Sequence, residues 1–239
     1  LKPSIVDCDR IFPVAFGKAA FSMMDGFMTY LKSINSTDKI HNLPIVISNS
    51  KSVPDYPISE FITAHPTPNE NSVLAAKTVL KYTSEINTHD LSINLISGGG
   101  SSLLCLPHDD ISLNDKVLVN NLLLKCGASI NEINTIRKHL SKIKGGRLSE
   151  HVNPSKSISL IISDVINDDI STIASGPTSI DHTTYSDAID IFHRYKIENE
   201  IPGNVMDLLK RGKSGQVSES PKNLDNTDNR IICSNKIFR

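Results

Sequence analysis

Apolar residues come along this chain in two alternating textures, short unbroken runs and helical spacings. Runs rich in Ile and Val occupy 11–16, 43–48, 61–64, 91–96, 157–163 and 230–233, and each is predicted to be a strand. Between them, Ala20, Met23, Met24, Phe27 and Leu31 fall on one face of a helix, as do Val73, Ala76, Val79 and Leu80. Strands that are apolar throughout and alternate with helices are buried on both faces, so the pattern predicts a doubly wound α/β architecture with a mostly parallel sheet. Pro13, inside the first run, cannot donate to a ladder and argues for an edge or a strand end there.

The alternation breaks over 112–152, which predicts two consecutive helices and no strand, a helical insertion between sheet strands. Ser112 with Asp115 and Ser129 with Glu132 have capping-box spacing, Gly127 is placed to end the first helix and Gly145-Gly146 the second. Residues 212–229 turn to Gly, Ser, Pro, Lys and Asn and predict a polar loop or linker, after which 230–239 begins a further strand.

Composition narrows the field. With 25 Lys and Arg against 26 Asp and Glu, the formal charge is -1, so no basic field draws the chain to nucleic acid or anionic lipid. No apolar run approaches the roughly 20 residues of a spanning helix, and no basic-then-apolar leader opens the sequence. The four cysteines are scattered without a CxxC pair, which suits free thiols in a reducing compartment. The expectation is a cytoplasmic protein with no membrane or nucleic-acid partner.

The unusual residues follow the strands: Gly17-Lys18 the first, His65-Pro66 the third, Ser97 to Ser102 the fourth, and Asp164 the fifth. The carboxyl ends of strands in an open α/β sheet face one crevice, so the fold itself would gather these segments. In Ser97-Gly98-Gly99-Gly100-Ser101 three glycines allow close approach, and successive amides with two hydroxyls can face a phosphate; a plain strand-to-helix turn would use the same residues. The segment is neither GxxxxGK[ST] nor GxGxxG. Lys18 is expected in the first turn of a helix, where the macrodipole disfavours a cation; a bound phosphate or carboxylate would account for it, and a solvated surface lysine is the alternative.

After Ser129, Ile130, Ile133, Ile136, Leu140 and Ile143 make a core face, while Asn134, Arg137, Ser141 and Lys144 make a second, polar stripe. That stripe is either an anion clamp or an ordinary solvated face. Asp164, followed by Asp168 and Asp169, offers carboxylates for magnesium at a strand end, although Asp168 and Asp169 equally suit turn capping. Ser175-Gly176-Pro177-Thr178 predicts a turn bringing hydroxyls and amides to the same crevice. His65, held extended by Pro66, is a substrate contact or a packed histidine; the other histidines show no metal-ligand spacing.

In order, Gly17-Lys18-Ala19-Ala20, His65-Pro66-Thr67-Pro68, Ser97 to Ser101, Asn134 to Ser141 with Lys144-Gly145-Gly146, Ser163-Asp164-Val165 and Ile173 to Thr178 resemble the glycerate 2-kinases of the MOFRL type, over roughly 11 to 235. The resemblance implies a Rossmann-like three-layer αβα domain, here 1–211, with a mostly parallel sheet and a helical insertion, and a smaller C-terminal MOFRL domain that is missing from this chain. It implies transfer of the γ-phosphoryl group of ATP, with Mg2+, to the 2-hydroxyl of D-glycerate. Under it Lys18 and Arg137 are expected to be catalytic, and Ser97, Gly98, Gly99, Gly100, Ser101, Ser175 and Gly176 to bind the nucleotide. Lys18, His65, Arg137 and Lys144 are expected to bind substrate, and Asp164 and Asp168 the metal. A homodimer is compatible with this reading. Asn167 departs from the usual Gly of its loop, and Asn69 from the usual Asp after HPxP. Two other expectations stand beside the kinase: a nicotinamide-dependent hydroxypyruvate reductase, disfavoured by the missing GxGxxG, and a non-catalytic sugar- or nucleotide-phosphate binding protein. The chain is expected to hold most of the motifs in an open half-cleft and to be a poor kinase alone.

Overall fold

The computed structural model describes residues 1–234, the side chain of Ile166 excepted. Six strands, β1 (Ile11–Phe16), β2 (Ile45–Ser48), β3 (Ser59–Ile62), β4 (Leu91–Ile96), β5 (Lys156–Ser163) and β6 (Thr227–Ser234), form one all-parallel sheet in the order β3-β2-β1-β4-β5-β6. Each apolar run gives rise to a strand, and inside the sheet a strand covered on both faces gains from apolar residues at every position. β1, β2 and β4 are buried along their whole length.

Three expectations about the strands need correction. β3 begins at Ser59, two residues before the apolar run. β6 begins at Thr227, not Arg230, because an edge strand is held by its ladder to β5 and tolerates polar residues. The continuation of that strand expected through 239 lies outside the described residues. Pro13 is in the interior of the sheet. Gly17 N donates to Ile47 O (3.1 Å), which puts the odd-numbered amide positions of β1 on the β2 side, and pairing with β2 starts only at Val14. The missing N–H of Pro13 therefore falls just short of that ladder, while the residue stays in register with Ile93 of β4.

Nine α-helices accompany the sheet among the described residues: α1 (Lys2–Asp7), α2 (Ala20–Ser33), α3 (Glu70–Thr83), α4 (Gly100–Leu103), α5 (Leu113–Lys125), α6 (Ile130–His139), α7 (Arg147–His151), α8 (Tyr185–Tyr195) and α9 (Gly203–Lys213). On one face of the sheet, Met24, Phe27 and Leu31 of α2 pack with Ala15, Val46 and Leu95. On the other, Ala76 and Val79 of α3 and Leu148 of α7 pack with Phe12, Phe16 and Ile47. A third core is wholly helical: Val119 and Leu123 of α5 and Ile133 and Ile136 of α6 meet Tyr185 and Phe192 of α8 and Val205 and Leu208 of α9. The helical part expected over 112–152 thus takes the larger part of its core from residues that follow β5. None of the described helices is long and apolar enough to cross a membrane.

Both capping boxes close. Asp115 N donates to Ser112 Oγ (3.0 Å) and Ser112 N to Asp115 Oδ2 (2.9 Å), and Ser129 with Glu132 repeats the exchange. Asn69, in place of the usual Asp, caps α3 in the same way with Ser72. The end of α6 differs from expectation: it stops at His139, well before Gly145. The segment 106–108 captures the chain there, with Lys142 N donating to Leu106 O (3.1 Å) and His108 N to Leu140 O (3.2 Å). Ser141 and Lys144 consequently leave the helix. The polar stretch 214–226 is also more firmly tied than its composition suggests. Ser220 Oγ donates to the buried Asp181 (2.9 Å), and His139 Nε2 lies 2.9 Å from Glu219 Oε1.

Candidate active site

The strand order reverses direction between β1 and β4, and in doubly wound sheets ligands bind at that switch point, beyond the carboxyl ends of the strands. The two loops that leave these strands touch. Gly17 has a φ of +123°, and a Cβ there would stand 2.2 Å from Ser97 Oγ, so only glycine fits. Lys18 N donates to Gly98 O (2.9 Å) and Ala19 N to Ser97 Oγ (3.0 Å). Lys18 therefore precedes the N-cap residue Ala19 of α2, ahead of the first turn where it was expected, and its side chain is exposed.

Three side chains gather over the glycine loop. A Cβ on Gly99 would meet His65 Cδ2 at 3.0 Å and Lys18 Cγ at 3.2 Å, and one on Gly98 would meet Asp164 Oδ2 at 2.0 Å. Strands β1, β3 and β5 thus deliver Lys18, His65 and Asp164 onto the loop after β4. Partial burial and the charge of Lys18 hold the His65 imidazole below its ordinary pKa, against the opposing pull of Asp164. The amides of Gly98 and Gly99 donate to no acceptor among the described residues.

The serines behave differently from the glycines. Ser97 Oγ accepts from Ala19 N, and Ser101 Oγ lies 2.8 Å from Ser175 Oγ, which donates to Asn134 Oδ1 (3.0 Å). The Ser175 proton is committed to Asn134, so Ser101 is the donor to Ser175. These hydroxyls hold loops together, and the loop's free donors are its amides. Ser175 sits in a left-handed run, Ala174, Ser175 and Gly176, with φ of +52°, +62° and +58°. The run is held from outside, as Gly145 N donates to Ser175 O (3.1 Å) and Gly146 N to Gly176 O (2.7 Å).

Beside the loop opens a cavity of about 270 Å³ whose wall includes His65, Asp164 and Asn134 and three cations, Lys116 of α5, Arg137 of α6 and Lys144. Lys144 Nζ donates to Leu104 O (3.1 Å) and Ala174 O (3.3 Å); Lys116 Nζ donates to Arg137 O (3.1 Å) and Leu140 O (3.0 Å). Arg137 Nε and Nη2 both donate to Asn120 Oδ1 (2.9 and 2.7 Å). No ion pair among the described residues includes any of the three. Burial pushes the Lys144 ammonium down to about 7 and that of Lys116 to about 8, because a charge away from water without a counter-ion is disfavoured.

Of the residues expected from the sequence, Lys18, His65, the glycine loop, Asp164, Arg137 and Lys144 are brought together. Asp168 is not part of the cavity wall. Asn167 and Asp168 have φ of +66° and +56°, a conformation that Asn tolerates in place of the usual Gly. Asp169 closes a turn on Ser171 N and Thr172 Oγ1, both at 2.9 Å. Gly176 is not among the residues of the cavity wall, and a Cβ on it would meet Ser171 O at 2.9 Å. Lys116 was not foreseen, because a lone lysine in an amphipathic helix reads as solvent-facing. Among the described residues no group of three His, Cys, Asp or Glu stands together as a metal cage.

Known proteins with the same layout give this geometry a family. A 47% identical relative, over 174 residues, is the glycerate 2-kinase of Pyrococcus horikoshii; the match covers 72% of this chain and 39% of that protein. A protein of Agrobacterium vitis with a provisional hydroxypyruvate reductase name is 44% identical over 178 residues, 73% of this chain and 40% of its own. The crystal structure of glycerate kinase from Thermotoga maritima superposes with a TM-score of 0.83 at 36% identity, covering 97% of this chain and 53% of that one. The chain thus spans about half the length, or less, of these relatives. The family model described as "Domain of unknown function (DUF4147)" matches residues 2–210, and the chain belongs to that family.

Proposed function

We propose that the intact protein containing this chain is a glycerate 2-kinase, transferring the γ-phosphoryl group of ATP to the 2-hydroxyl of D-glycerate. The observation that carries this reading is the cavity itself: Lys116, Arg137 and Lys144 face it without a carboxylate partner among the described residues, beside a glycine loop with free amides. Three unpaired cations call for an anion, and a small hydroxy acid supplies a carboxylate to them and a hydroxyl to the loop side.

Phosphoryl transfer needs positioning and charge stabilisation more than covalent chemistry. The Gly98 and Gly99 amides would face the phosphates, Lys18 would stabilise the transferring charge, and Arg137 and Lys144 would add positive charge around the acid. Asp164, lying against Gly98, fits a magnesium held by one carboxylate and phosphate oxygens, and the ion would supply charge neutralisation there. His65, whose pKa is held down by desolvation and by the charge of Lys18, would exchange a hydrogen bond with the bound acid.

The test is an assay of the intact protein with MgATP and D-glycerate, the product read by enolase with and without phosphoglycerate mutase. Signal without mutase is expected; a strict need for mutase would move the transfer to the 3-hydroxyl, and no ADP release would end the kinase reading. The hydroxypyruvate reductase reading, favoured by the name of the Agrobacterium vitis relative, predicts NADH oxidation with hydroxypyruvate, which is expected to be absent.

A further inference from the structure

We infer that Lys116 and Asn134 form the seat for the carboxylate of the acid and so determine that the pocket takes a small carboxylic acid and rejects a neutral polyol; this rests on the reading of the cavity given above. Lys116 is almost wholly buried, yet it lines the cavity. An ammonium has three N–H donors, and the terminal carbonyls of α6, Arg137 O and Leu140 O, take two, leaving one. The two acceptors fix the direction of the third, so the group is a pre-aimed donor rather than a mobile surface lysine.

Asn134 is 2% exposed and its two ends have different fates. Oδ1 accepts from Ser175, which is itself fixed by Ser101, and Nδ2 has no partner among the described residues. A buried amide donor left unpaired is costly, and such orphans mark places where a ligand or water is to be added. With Oδ1 taken by Ser175, Nδ2 is the end of the carboxamide left free. Lys144 has one uncommitted N–H of the same kind, and Arg137 retains donors on Nη1. The acceptors contributed by these residues are already used, whereas donors remain. Donors left over on Lys116, Asn134, Lys144 and Arg137 match a carboxylate, which only accepts, better than a hydroxyl, which must also donate; the Asp164 carboxylate on the wall belongs to the glycine-loop side, against Gly98.

The experiment is calorimetric titration of the intact protein with D-glycerate and, separately, glycerol, repeated on Lys116→Met and Asn134→Asp. The second variant keeps shape and replaces a donor with an acceptor, so it separates the seat from packing. Glycerate is expected to bind and glycerol not to; each substitution should weaken glycerate at least tenfold, and in the kinase assay should raise KM for glycerate while KM for ATP moves less than twofold. Wild-type affinity should also fall from about pH 7 upward as Lys144 and then Lys116 lose their protons, and Lys116→Met should flatten the part of that fall around pH 8. Thermal unfolding of both variants establishes that they fold. Affinity unchanged in a folded Asn134→Asp variant, or equal binding of glycerol, overturns the seat even if the kinase is active. Glycerate bound tightly and lost in both variants, without turnover, would uphold the seat and overturn the kinase reading alone.

Discussion

Gly98 and Asp164 face each other so closely that a Cβ on Gly98 would stand 2.0 Å from Asp164 Oδ2. The glycine is therefore what allows the carboxylate at the end of β5 to lie over the loop after β4. Gly98→Ala is expected to push the Asp164 side chain away while leaving the fold intact, since the displaced group is the mobile end of an exposed side chain. In the proposed kinase, magnesium-dependent turnover should fall at least tenfold with melting temperature almost unchanged; normal turnover would remove Asp164 from the phosphate end of the site.

Gly100 offers the contrast within the same loop. A Cβ there would meet the Ala174 Cβ at 2.8 Å and the Phe16 ring at 3.1 Å, both in the interior. Overpacking of this kind costs about 1–3 kcal/mol, so Gly100→Ala should lower stability where Gly98→Ala does not. Denaturant titration of the two variants side by side measures the difference.

Lys18 is exposed and held in place through its backbone, so its side chain carries little of the stability. Lys18→Met should change unfolding free energy by less than about 0.5 kcal/mol, the usual range for surface positions. In the proposed reaction kcat should fall by two orders of magnitude or more, as for loss of a group that stabilises developing charge, about 3 kcal/mol. Single-turnover kinetics with MgATP and D-glycerate would decide it, and near-normal turnover would free Lys18 of that role.

The buried ammonium of Lys144 gives the ligand-free fold a signature in pH. In the fold it titrates at about 7, against an ordinary 10.5. Between these values the unfolded chain binds more protons than the folded one, so unfolding free energy rises with pH across that window and the penalty is full only below pH 7. The melting temperature of the wild type relative to Lys144→Met should therefore climb from pH 7 to pH 9.5. A pH-independent difference would show that Lys144 is not buried as a charge.

Asp181 joins elements distant in sequence: it accepts from Lys138 Nζ at 3.3 Å, from Thr183 Oγ1 at 2.6 Å and from Ser220 Oγ at 2.9 Å, with no exposure. Burial pushes its carboxyl up, but the Lys138 charge, the Thr183 hydrogen bonds and His139 outweigh it and hold it below the ordinary range. Removing one member of a buried pair strands the other at about 3–5 kcal/mol, so Asp181→Asn should lower the melting temperature by on the order of 10 °C. Because α6 carries Asn134 and Arg137, the loss should reach the cavity as well. A melting temperature within 2 °C of the wild type would contradict this.

The strands, their parallel order and the crevice at their ends were legible in the chain because burial on both faces writes an unbroken apolar run, and because Gly17-Lys18, His65, the Ser97 to Ser101 loop and Asp164 stand directly after such runs. The helical start signals at Ser112 and Ser129 were legible for the same local reason: a capping box is an exchange between residues three apart. What required the tertiary structure were the partners. Segment 106–108 ends α6 at His139 and puts Lys144 on a loop. The residues of α8 and α9 complete a core begun by α5 and α6, and Lys116 turns inward to the carbonyls ending α6. Ser101 and Ser175, which look alike as phosphate donors, instead hold each other and orient Asn134. Periodicity and local spacing report which face of an element is apolar; where a polar group finds its acceptor depends on segments tens of residues away, and only the folded chain brings those together.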